Sequence, residues 1–113
     1  MNSDVIDRHR AITSLQEELE AVDWYDQRVA ATGDESLAEI LAHNRDEEKE
    51  HAVMTLEWLR RRDPKVDEVL RTYLFTEAPI IEVEHEVEAE GGGGGAGGAG
   101  EGSLGIGSLR ETR

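Results

Sequence analysis

Residues 3–32 contain neither proline nor glycine and are dominated by good helix formers. Within them Ile12, Leu15, Leu19, Val22 and Val29 recur at the three-and-four spacing of an amphipathic helix, which predicts a helix over about residues 4–32. Gly33 and Asp34 interrupt the run. Gly33 is expected to take the left-handed conformation that ends a helix, and Asp34 to cap the next one. A second helix is predicted over about residues 35–62, with Leu37, Ile40, Leu41, Trp58 and Leu59 as its apolar stripe. Arg60, Arg61 and Arg62 complement the negative end of its dipole, and Asp63-Pro64 stops it. Two long helices joined by so short a turn must lie antiparallel. Val66, Val69, Leu70, Tyr73, Leu74 and Phe75 predict a short third helix over about residues 65–74 that packs on the hairpin or a neighbour, so the expected fold class is all-α.

The foldable part, residues 1–75, is smaller than the 113-residue chain. A segment of that size buries little surface, and pairing with a second copy is a common remedy. Cysteine is absent, which removes disulfides and thiolate ligands and leaves imidazole and carboxylate for any transition metal. No apolar run approaches the ~20 residues that span a bilayer, and residues 1–10 carry no signal-peptide core, so a cytosolic protein without membrane contact is expected. A formal charge of −14 argues against nucleic-acid binding and suits a protein that attracts cations.

After residue 75 the character changes. Glu82, Glu84, Glu86, Glu88 and Glu90 alternate with Ile81, Val83, His85, Val87 and Ala89, and a glycine tract follows from Gly91. With no partner strand, residues 76–101 read as an extended, self-repelling linker. Beyond it, Leu104, Ile106 and Leu109 stand in a short apolar segment, and residues 102–113 have the build of a tethered docking peptide.

Polar side chains interrupt both helical stripes. At about 100° per residue, Glu48, His51 and Thr55 fall in the same sector as Leu37, Ile40 and Leu59, around the line through Asn44. On the first helix Glu18 falls between Val22 and Tyr25, at the edge of the buried face. Burying an unpaired carboxylate is costly, so a cation is expected to meet these groups. Glu48 and His51 form a Glu-x-x-His pair projecting from one helix face. On an acidic helix such a pair is commonly a solvated ion pair, and its position inside the apolar stripe is what distinguishes this one. Spacing leaves Glu47, four residues before His51, as an alternative. Di-iron carboxylate bundles use a Glu from each of two helices and Glu-x-x-His from each of two others. This chain supplies one of each, half a site, and a two-fold dimer would complete both the site and a four-helix bundle.

Other residues carry weaker signals. Glu17, Glu20 and Asp23 lie off the stripe, as acids on a solvated face do. Trp24 points away from Leu15, as suits a further subunit contact. Tyr25 flanks the Glu18 sector, where it serves either core packing or a ligand. His9, His43 and His85 read as surface residues, and Arg8, Arg10 and Arg28 as partners for acids.

The segments RHRAI (8–12), EELEAVDWYDQR (17–28), LAHNRDEEKEHAVMTLEWLR (41–60) and RTYLFT (71–76) resemble the encapsulated ferritins, short ferritin-like cargo proteins of encapsulin nanocompartments. The segment GSLGIGSLR (102–110) resembles their targeting peptide. The resemblance implies ferroxidase ligands at Glu18, Glu48 and His51, contributed by two subunits that hold two iron ions per dimer interface. It implies a secondary metal site on the entry path at Glu17 and Glu20, control of access by Trp24, and Tyr25 beside the centre. It further implies a ring of dimers similar to a decamer, and docking to the encapsulin shell through Leu104, Ile106 and Leu109. The implied location is the lumen of a nanocompartment in a bacterial or archaeal cytoplasm. Competing with this is a non-catalytic module in which the same ligands bind a metal that only stabilises a dimer and its docking.

Overall fold

A computed structural model of the chain describes residues 2–91, and four helices account for nearly all of them. They are α1 (Ser3–Ala31), α2 (Glu35–Arg62), α3 (Pro64–Tyr73) and α4 (Ile80–Gly91). No strand occurs among the described residues, as the all-α expectation requires. Two compact units divide the chain, residues 1–68 and the part from Val69 onward.

In the first unit α1 and α2 pack against one another as the expected hairpin. Each start is capped by a short polar side chain. Asn2 Oδ1 accepts from the Val5 amide and Asp34 Oδ1 from the Leu37 amide, both at 2.9 Å. The end of α1 differs from expectation. Thr32 is its C-cap in extended backbone (φ −85°, ψ 143°), and its hydroxyl accepts from the Asp34 amide at 3.2 Å. Gly33 therefore does not supply a left-handed turn, and a Cβ added there would meet nothing within 4 Å. Arg45 on α2 reaches across the hairpin to Asp26 on α1 at 2.9 Å.

The α2–α3 corner is pinned by charge. The Arg60 guanidinium donates to Glu57 and to Asp67, and Arg61 also donates to Glu57. Asp63 caps α3 by accepting from the amides of Lys65 and Val66, and Pro64 stands at the first helical position, where its missing N–H costs nothing. Arg62 stacks 4.0 Å over the Trp58 ring.

A hairpin of two helices can bury only one strip of each. Ala52 and Leu59 are the buried residues of α2, and α1 has none. Ile12, Leu19, Leu37, Ile40, Val53 and Met54 are each about half exposed or more. The shortage of core expected from chain length is thus present in the fold.

The second unit begins within α3. Phe75, just past that helix, has a φ of 63°, a strained conformation for a residue with a Cβ, and its side chain is 99% exposed. The Pro79 carbonyl then accepts from the amides of Glu82 and Val83 and starts α4. The expected extended linker over residues 76–101 is corrected here, because residues 80–91 are helical. Glutamate is a good helix former and a poor strand former, and a helix satisfies its own backbone groups without a partner strand. Ile80, Val83 and Val87 also share one helix face, which the alternating pattern concealed, and Val83 is buried. Burial, with the negative charges of Glu84 and Glu88 adding to it, holds the Tyr73 phenol above its ordinary pKa. The glycine tract beyond Gly91 and the docking residues Leu104, Ile106 and Leu109 lie outside the described residues.

Candidate metal centre

The candidate donors lie on two helices, Glu48 and His51 on α2 and Glu18 on α1. Glu48 and His51 are one turn apart on α2, and Glu48 Oε1 lies 3.4 Å from His51 Nδ1. The Glu48 side chain is 28% exposed and that of His51 50%, so the pair stands at the rim of the helix seam and faces outward. A first-row cation bonded at about 2.1 Å to both would span donors roughly 3.0–3.4 Å apart. The separation therefore suits one ion held between them. Glu47 is not so placed: its Oε2 lies 3.4 Å from Nε2 of His43. The alternative left open by spacing thus pairs away from His51, and His43 acquires a partner it was not expected to have.

Glu18 approaches from α1. Its Oε2 accepts from the Thr55 hydroxyl at 3.3 Å, while Oε1 is buried and has no hydrogen-bond partner. A buried carboxylate oxygen without a donor costs free energy unless a cation meets it. That undonated oxygen can meet a hard metal ion, and carboxylate and imidazole are donors that iron, manganese or zinc accepts. Among the described residues no three His, Asp or Glu side chains of one chain converge on a point.

The flanking residues are distributed unevenly. Tyr25 is half-buried beside Arg28, whose guanidinium lies 5.6 Å from its ring and 6.0 Å from that of Trp24. Arg28, expected to pair with an acid, instead covers two aromatic faces. Trp24 is half exposed, and Glu17 and Glu20 are both exposed on α1. On α2, Leu37, Ile40 and Met54 lie within an arc of roughly 100° about the His51 direction, so this face is apolar and exposed at several points along the helix. Sequence reasoning placed Thr55 in this sector without assigning it a partner. Its spacing of four from His51 was the available signal. The contact with Glu18 could not be read, because it joins residues on different helices.

A helical hairpin that presents Glu18, Glu48 and His51 along its seam has the form of a ferritin-like half-bundle. Comparison with known proteins narrows this: the sequence matches the EncFtn-like family over residues 1–77, and the chain belongs to that family of encapsulated ferritins. It is 63% identical over 115 aligned positions to the encapsulated ferritin-like protein of Rhodospirillum rubrum, covering 97% of this chain and 82% of that one. It is 65% identical to a ferritin-like protein of Thermotoga maritima over 77 residues, 68% of each chain. It also resembles an encapsulin nanocompartment cargo protein, EncC of Myxococcus xanthus, at 38% identity over 52 residues, 46% of this chain and 40% of that one. Among solved structures it matches protein ne0167 of Nitrosomonas europaea with a TM-score of 0.69 and 62% identity, over 71% of this chain and 88% of the other. An iron-related, ferritin-like role follows from the family. Among the described residues no helix is long and apolar enough to cross a membrane.

Proposed function

We propose that two copies of this chain pair through the α2 face bearing His51 and form a ferroxidase that oxidises ferrous iron with dioxygen. Pairing doubles Glu18, Glu48 and His51 and gives the full complement of a di-iron carboxylate bundle. The observation that carries this reading is the buried Oε1 of Glu18, an acceptor that no donor meets among the described residues. The exposed Leu37, Ile40 and Met54, on the same face of α2 as His51, support a self-contact along that face.

Two ferrous ions are the substrate. The carboxylates bind them, offset their charge and favour the ferric product, while the imidazole completes the donor set. A pair of ions held together delivers two electrons to dioxygen in one encounter, both ions becoming ferric while the dioxygen, with two protons from solvent, leaves as hydrogen peroxide. Glu17 and Glu20, exposed on α1, form a secondary site on the entry path, with Trp24 beside it controlling access and Tyr25 flanking the centre. Ile12, Leu19 and Val53, also exposed on the hairpin, support a further association of dimers, as in a ring such as a decamer.

Residues 102–113 dock the assembly in an encapsulin shell through Leu104, Ile106 and Leu109, and the glycine tract keeps the peptide close without fixing its orientation. Delivery of ferric product to the shell lumen follows. Native mass spectrometry under anaerobic ferrous iron tests the site: pairs of chains should carry two ions, and E48A or H51A should carry none. Removal of residues 102–113 should abolish co-purification with the shell and leave oxidation by the free protein unchanged. Loss of oxidation on that deletion would contradict the division of labour.

A further inference from the structure

We propose that Thr55 is a positioning residue that fixes the Glu18 carboxylate so that Oε1, not Oε2, meets the metal. The inference rests on the metal-site reading above. A helical threonine ordinarily spends its hydroxyl proton on the carbonyl one turn back, and here the His51 carbonyl is 3.1 Å from Thr55 Oγ1. Glu18 Oε2 is at 3.3 Å from the same hydroxyl. One proton therefore faces two acceptors. The His51 carbonyl already receives the helical amide of Thr55, so it loses little if the hydroxyl turns away. A carboxylate is a stronger acceptor than a carbonyl, because a hydrogen bond to a charged acceptor is about twice as strong as one between neutral groups. The proton goes to Glu18.

The consequence is geometric. The terminal torsion of a glutamate is broad and nearly two-fold, so an unrestrained carboxylate exchanges its oxygens freely. Donation to Oε2 makes the two inequivalent and holds the plane, leaving Oε1 buried, undonated and oriented. Thr55 also belongs to the turn of α2 that follows His51. The hydroxyl thus ties the α1 ligand to the helix that carries the other two, and sets their register before any cation arrives.

The test uses the full-length protein and cobalt(II), whose visible bands report coordination and which dioxygen leaves unoxidised at simple carboxylate sites. T55V keeps the branched shape and deletes the hydroxyl, and T55S restores it. T55A repeats the deletion should T55V impair folding, as judged by helix content and assembly mass. The account expects T55V to bind cobalt(II) about 10- to 100-fold more weakly with altered visible bands, the range typical of lost outer-sphere partners. T55S should return the affinity to within about threefold of the parent. Parent-like affinity and bands in both T55V and T55A, with E18Q still defective, would overturn the role of Thr55 and leave the metal site standing. Equal binding by the parent and E18Q would instead remove Glu18 from the site, and this inference with it.

Discussion

Glu48 Oε1 and His51 Nδ1 lie 3.4 Å apart on the outward rim of α2, whereas the adjacent Glu47 turns to His43. A helix rotates about 100° per residue, so neighbours in sequence face different surroundings even when chemically identical. Two glutamates side by side thereby have different partners.

The first expectation follows from that contrast. E48Q keeps size and polarity but removes the charge, and should lower the initial rate of ferrous oxidation by at least about 100-fold. E47Q should change it by less than about twofold. Equal losses in the two variants, measured by absorbance of the ferric product, would contradict the assignment.

Ile40 tests the pairing face. Its side chain is 55% exposed in the single chain and shares a face with His51. A carboxylate at this position, if covered by a second copy, costs about 3 kcal/mol, or more than a hundredfold in association. I40D should therefore shift the population toward single chains in sedimentation velocity, with oxidation falling in step because the site is shared. Full assembly by I40D would place the contact elsewhere.

Acid sensitivity has a local source at the α2–α3 corner. Hydrogen bonds from Arg60 and then Arg61 hold the Glu57 carboxyl down to about 2, from an ordinary value of 4.5. A depressed carboxylate stabilises the folded chain fully above its unfolded pKa, and that contribution is lost as pH falls through the folded one. The Glu57 contribution should thus decline between about pH 4.5 and 2. Thermal midpoints followed across this window should fall less steeply in E57Q than in the parent. Parallel slopes would show that the corner does not depend on the ionised form.

Much of the hairpin was legible because proline and glycine mark its ends and the apolar residues keep helical period between them. The shared face of Glu48 and His51 was legible from their spacing of three, but the burial expected of that face is absent in the single chain, where His51 is 50% exposed. What failed were inferences from single residues or the wrong period. Gly33 suggested a left-handed cap, but Thr32 performs the capping in extended backbone. The Glu-Val alternation after Ile81 concealed the face shared by Ile80, Val83 and Val87, and glutamate's preference for helix decided α4. Thr55 and Glu18 are 37 residues apart, and their contact depends on how α1 slides along α2, which neither helix encodes alone.

Shared iron chemistry between two copies is tested most directly by stopped-flow mixing of anaerobically ferrous-loaded protein with dioxygenated buffer. The account predicts a fast ferric absorbance rise that saturates at two irons per pair of chains and is absent from H51A. Binding of ferrous iron with the same stoichiometry, followed by oxidation no faster than in buffer, would contradict it and leave a metal that only holds the dimer together.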